Sequence, residues 1–154
     1  MKGQCSCGDV QYEITDSPLF IHACYCTNCQ RQSGSAHALN AMIESTCVNV
    51  KSGSTEGVLM ETTSGMGQVI HRCTECKIAI WSTYGALGED FSFVRVGTLE
   101  NPNAFPPDIN IFTKSKLAWT QMKADIPSFE EYYDPNEVWP KDALARMYKV
   151  IEAR

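Results

Sequence analysis

Seven of the eight cysteines fall into three tight groups, Cys5-x-Cys7, Cys24-x-Cys26-x-x-Cys29 and Cys73-x-x-Cys76, leaving only Cys47 apart. Thiolates one or two residues apart can grip the same ion from a single turn of chain, and as soft ligands they favour zinc, copper(I) or iron–sulfur clusters. One C-x-x-C pair is equivocal between metal binding, redox chemistry and coincidence; three such groups in 154 residues point to metal. Two bidentate pairs together close a tetrahedral site, whereas a triad leaves the fourth position of zinc open. Spacing also permits other partitions, such as Cys24 and Cys26 with Cys73 and Cys76. The division into four and three leaves fewest ligands unused, and it implies two Zn²⁺ ions per chain. Joining Cys5 and Cys7 to Cys73 and Cys76 closes a loop of about 65 residues at an entropic cost of about 4 kcal/mol. Structural zinc supplies on the order of 10 kcal/mol or more, well above that. The triad has competing readings: a second structural site completed by Cys47, His22, His37 or His71, or an iron–sulfur cluster. For the four outer cysteines the competing reading is a set of buried reduced thiols.

The metal reading depends on a reducing compartment, since the same cysteines in a secreted chain would suggest disulfides. The chain starts Met1-Lys2-Gly3-Gln4-Cys5 with no apolar signal segment, and no stretch approaches the roughly 20 apolar residues of a membrane span. Cytoplasmic residence and no membrane partner are therefore expected. The net charge of -5 argues against a sequence-independent hold on nucleic acid.

Short alternating runs set the fold class. Val10–Ile14, His37–Ile43 and the pair Cys47–Val50 and Val58–Glu61 read as strands, the last two joined through Lys51-Ser52-Gly53-Ser54. Gln68–Arg72, Ile78–Tyr84 and Phe91–Val96 follow, broken by Gly85, Gly88 and Gly97. The proline-rich stretch Asn101–Pro107 is a surface loop leading to a short strand at Ile109–Phe112. Beyond Pro140, Leu144, Met147, Tyr148 and Ile151 recur at helical spacing, predicting an amphipathic helix over about 140–154 that docks on the domain or joins two copies as a homodimer. The expectation is one mainly all-β domain over residues 1–154, of folded antiparallel sheets stapled by zinc.

Five segments carry a resemblance. Gly3-Gln4-Cys5-Ser6-Cys7-Gly8-Asp9-Val10-Gln11-Tyr12-Glu13 and Cys24-Tyr25-Cys26-Thr27-Asn28-Cys29-Gln30-Arg31-Gln32-Ser33-Gly34-Ser35 resemble the glutathione-dependent formaldehyde-activating enzyme family, which includes the centromere protein V domain. Arg72–Cys76, Val96–Leu99 and Lys114–Trp119 follow in the family's order. The resemblance implies an all-β fold similar to a zinc-binding guanine-exchange-factor-like domain. It also implies a structural zinc on Cys5, Cys7, Cys73 and Cys76, and a catalytic zinc on Cys24, Cys26 and Cys29. Two positions depart from the family pattern: Lys77 follows Cys76 where glycine is usual, and Asn110 stands where a histidine is often found.

An open three-thiolate zinc suits thiol and aldehyde chemistry, because it can hold a thiol as thiolate at neutral pH. The expected activity is a carbon–sulfur lyase acting on an adduct such as S-(hydroxymethyl)glutathione, with glutathione and an aldehyde as partners. Candidate substrate contacts are Arg31, as a carboxylate fork, and Ser33 and Asn110; Ser33 and Ser35 also suit the cap of a short helix. Trp81 and Trp119 are expected in the core or a pocket wall. The alternative is a non-catalytic zinc-stabilised binding or thiol-sensing module.

Overall fold

The computed structural model describes residues 1–62 and 65–154. Its strands in chain order are β1 (Lys2–Gln4), β2 (Gln11–Ile14), β3 (Phe20–Cys24), β4 (Ala38–Glu44), β5 (Val48–Ser52), β6 (Thr55–Met60), β7 (Gln68–Cys73), β8 (Ala79–Tyr84), β9 (Gly88–Arg95) and β10 (Ile109–Ile111). The helices are α1 (Thr27–Ser33), α2 (Pro135–Val138) and α3 (Lys141–Glu152). A three-stranded sheet runs β1-β2-β5, and a seven-stranded sheet runs β10-β3-β4-β9-β8-β7-β6. All pairings are antiparallel except β10 on β3, where Ile111 lies beside Cys24. The expected mainly β architecture is borne out.

Period-two alternation divides the large sheet into two faces. Phe20, Cys24, Ala38, Met42, Phe91 and Phe93 enter one apolar cluster with Ile109, Ile111, Trp139 and Met147. Ile21, Ala41, Ile43 and Val94 enter another, shared with Val10, Tyr12 and Ile14 of the small sheet. Helices therefore cover one face and the second sheet covers the other.

Three features differ from the sequence reading. Strands β5 and β6 do not pair with each other: β5 joins β2, and β6 joins β7. The chain changes sheets between them at Gly53, whose φ of 72° is left-handed and whose missing Cβ leaves room for the Asp9 carbonyl. Strand β3 has every residue buried, so Phe20–Cys24 shows no alternation to mark it. The late strand stops at Ile111, because Phe112 turns left-handed with φ 56°.

The C-terminal helix α3 starts after Pro140 and buries Ala143 and Met147, while Tyr148 on the expected stripe is exposed and bonds Asn136 at 2.6 Å. Arg146 fastens this helix to β4 through Glu44 at 2.9 and 2.6 Å. Among the described residues no helix is long and apolar enough to cross a membrane.

Candidate functional site

Two groups of thiols converge among the described residues: Cys5, Cys7, Cys73 and Cys76, and separately Cys24, Cys26 and Cys29, with the sulfurs of each group within 4.8 Å of one another. In the first group the Cys5 and Cys7 sulfurs lie 3.4 Å apart and those of Cys7 and Cys73 3.8 Å apart. A tetrahedral ion with zinc–sulfur bonds of about 2.3 Å needs sulfurs about 3.8 Å apart, so this donor set fits zinc. The mixed partition of Cys24 and Cys26 with Cys73 and Cys76 does not occur.

The four-cysteine group is built from two knuckles. The turn after β1 sends the Val10 N–H to Cys5 Sγ at 3.3 Å, and the hairpin between β7 and β8 sends the Glu75 N–H to Cys73 Sγ at 3.4 Å. Burial opposes ionisation of Cys5, yet the Val10 N–H and the Cys7 and Cys73 thiols hold its pKa below the ordinary thiol value. The N–H of Ile78 and that of Cys7 bring Cys76 down to about 6. Lys77 takes the glycine position of the family turn with φ 62°, its N–H bonded to the Cys73 carbonyl at 3.0 Å. The turn thus keeps its left-handed residue without a glycine.

The triad sits where β3 ends and α1 begins. Cys26 is the N-cap of α1, its sulfur accepting the Cys29 N–H at 3.4 Å, and Gly34 closes the helix with φ 63°. Side-chain bonds from Cys24 and Cys29, aided by backbone N–H groups, lower Cys26 to about 2. Bonds to Cys26 and Cys29, and burial, push Cys24 strongly up. Cys24 draws Cys29 down, but Cys26 and burial outweigh it and raise Cys29 to about 12. Without an ion, three thiols this close oppose one another's ionisation, and Cys26 is the one favoured to lose its proton. A cation would let all three ionise, so the donor set fits a soft divalent ion such as zinc.

None of the candidate fourth ligands joins the triad. Cys47 packs at the edge of the second cluster, and His71 stacks on Trp81 at 5.1 Å. His37 lies against Tyr25 with ring centroids 4.8 Å apart. His22 shares the Cys24 face of β3 and bonds Tyr133 Oη at 2.8 Å through Nε2. Trp139 Nε1 donates to that same hydroxyl at 2.6 Å, joining Trp139, Tyr133 and His22 in one buried chain of hydrogen bonds. Burial holds this imidazole neutral, with its pKa lowered to about 4.

The three expected substrate residues do not cluster on the triad. Arg31 is exposed in the last turn of α1. The Ser33 hydroxyl donates to the Cys29 carbonyl at 2.7 Å and meets Ser35 Oγ at 2.9 Å, closing the C-terminal end of the helix rather than its start. Asn110 pairs with Ala23 rather than Cys24, so it faces away from the triad, and its amide donates to Ser128 Oγ at 3.0 Å. Trp81 is core, but Trp119 is 73% exposed, which overturns its placement in core or pocket wall. Sequence reasoning passed over Arg95 and Tyr84. The Arg95 guanidinium donates to Ser82 Oγ at 3.0 Å, to Gln32 Oε1 at 3.5 Å and to Asn40 Oδ1. Burial raises the Tyr84 pKa and keeps it protonated, and ionisation of the nearby triad, Cys29 first, adds to the effect. The alternation of β8 and β9, which puts Ser82, Tyr84, Phe93 and Arg95 on the α1 face, was the signal that marks them.

A family model described as glutathione-dependent formaldehyde-activating enzyme matches residues 1–115. The chain belongs to that family. This formaldehyde-activating-family member is also similar to the crystal structure of a Rhodobacter sphaeroides protein, a structural genomics target, at a TM-score of 0.52 and 21% identity, covering 70% of this chain and 97% of the other. That likeness supports the fold. No curated protein sequence matches the chain.

Proposed function

We propose that the chain is a zinc-dependent carbon–sulfur lyase-type enzyme that makes or breaks a thiol–aldehyde adduct such as S-(hydroxymethyl)glutathione. The observation that carries this reading is the three-thiol group with no fourth His, Cys, Asp or Glu ligand beside it among the described residues. Cys24, Cys26 and Cys29 would hold a zinc ion there, which would supply a site able to stabilise a thiol as its thiolate. In the forward direction the carbon–sulfur bond forms as the carbonyl π bond opens, and the thiol proton ends on the new hydroxyl. The protein's own share is positional. Cys26 is fixed by the helix cap, Cys29 by the first turn of α1, and Cys24 by the end of β3. Tyr84, protonated and close to the triad, is the hydroxyl suited to donate to the developing alkoxide. The second ion, on Cys5, Cys7, Cys73 and Cys76, has a structural role.

The test is glutathione–formaldehyde turnover and metal content of a Cys24→Ser variant. We expect one zinc instead of two and a turnover loss of at least about a hundredfold, the scale of one lost transition-state contact. Full turnover in that variant sinks the proposal. Two ions that both resist mild chelation, with no saturable thiol binding, would make the chain a zinc-stabilised module instead.

A further inference from the structure

We propose that Arg95, with Gln32 and Gln68, receives a carboxylate of the thiol substrate, an inference that rests on the triad being a thiol-handling site. Arg95 ends β9 on the face covered by α1, and every partner it has there is neutral: Asn40 Oδ1, Gln32 Oε1 and Ser82 Oγ. Among the described residues no carboxylate pairs with it. A guanidinium can only donate, so the oxygens of Asn40 and Gln32 must point at Arg95. That fixes the Gln32 amide, whose Nε2 then donates to Gln68 Oε1 at 2.9 Å. Gln68 thus accepts from Gln32 through Oε1, which leaves its own Nε2 as the donor still to be satisfied. That amide nitrogen is buried and has no partner among the described residues, in a side chain only 3% exposed.

The remaining capacity of this cluster is thus N–H donors beside a positive charge that has no carboxylate partner among the described residues and lies within electrostatic reach of Cys29 in the triad. Leaving such donors unpaired in the interior is costly, and an anionic oxygen acceptor is the ligand that satisfies them. Gln32 follows Cys29 by one helical turn on α1, so the cluster borders the triad along the same helix face. A thiol that reaches the Cys24, Cys26 and Cys29 group while carrying a carboxylate would be gripped at both ends. A simple alkyl thiol would be gripped at one. The structure therefore assigns substrate selection to Arg95 rather than to the exposed Arg31.

The test uses titration calorimetry on zinc-loaded protein with S-methylglutathione and its dimethyl ester, probes in which the thiol is blocked and only the carboxylates differ. Wild type should bind the acid at least about tenfold more tightly than the ester. Arg95→Met should abolish that preference, and Arg95→Lys should keep part of it. Gln68→Leu should weaken it with less disturbance to the sheet, which guards against an Arg95 variant that folds poorly. Equal binding of acid and ester by wild type, no binding of either, or a preference intact in Arg95→Met overturns the proposal and leaves Arg95 as a cross-link and Gln68 on a structural water. Glutathione–formaldehyde turnover separates the two readings. Turnover without acid preference defeats the carboxylate site alone, whereas acid preference without turnover defeats the lyase reading and leaves the site standing.

Discussion

Lys77 holds a backbone conformation that costs a non-glycine residue about 1–2 kcal/mol. What it returns is an ion pair between Nζ and Glu56 at 2.8 Å, with both side chains about half exposed and the attraction weakened by solvent screening. Lys77→Gly should therefore stabilise the metal-loaded protein by about 0.5–1 kcal/mol, read as a rise of a few degrees in its thermal midpoint. A fall would mean that the glutamate pair outweighs the backbone strain. His22 makes the opposite kind of trade. Its folded pKa is lowered to about 4 from an ordinary 6.5, so as pH falls the unfolded chain takes up the proton first. The stability this contributes is full above pH 6.5 and is lost as pH falls toward 4. Between pH 7 and 5 that loss amounts to about 2 kcal/mol. His22→Gln keeps a polar group near Tyr133 Oη but cannot titrate. Urea unfolding at both pH values should show the wild type losing about 2 kcal/mol more than the variant; equal losses would refute the assignment.

At the scale of elements, legibility followed exposure. Strands with one face against the core and one less buried, such as β2 with Tyr12 and Ile14 inward, alternate and could be read. Strand β3, buried throughout, could not, although it delivers Cys24. The knuckle pattern of α1 gave its cysteines away but hid its helix, because the N-cap is a thiol rather than a serine or aspartate. The pairing of β5 with β6 failed because a glycine-containing connection looks alike whether it turns a hairpin or passes to another sheet. Alternation along β9 places Arg95 on the α1 face, but its role was hidden because its partners come from α1, β4 and β8, far along the chain. The C-terminal helix was legible in its apolar stripe, but not in its polar anchor. Arg146 donates to Glu44, which is 8% exposed, and to the Ser17 carbonyl at 3.0 Å. Arg146→Met leaves that carboxylate without its partner, at a cost of about 2 kcal/mol for a pair that keeps some solvent contact. The double change Arg146→Met with Glu44→Leu should recover much of it in denaturant titrations; a single variant as stable as wild type would show that apolar contacts alone dock α3.

Across the whole molecule the two cysteine groups occupy opposite faces of the large sheet, Cys24 and Cys29 in the helix-covered cluster and Cys5 and Cys73 in the one between the sheets. Their consequences for folding differ through loop length. Cys24, Cys26 and Cys29 lie within a few residues of one another, so an ion there closes almost no chain. Cys7 and Cys73 are 66 positions apart, one in the turn after β1 and the other at the end of β7. An ion there ties distant parts of the folded chain, and its binding free energy, beyond the cost of closing that loop, is folding free energy. Stepwise chelation of the two-zinc protein should accordingly separate. Loss of the first ion should abolish thiol binding while leaving the far-ultraviolet dichroism and the thermal midpoint nearly unchanged. Loss of the second should lower that midpoint by about 10 °C or more, at the few degrees per kcal/mol typical of a chain this size. Cys26→Ala should reproduce the first step and Cys7→Ala the second. If both ions leave together with the fold, the triad is as structural as the four-cysteine site. The open position would then lose its catalytic meaning, because a site whose ion holds the protein together cannot readily exchange ligands at that ion.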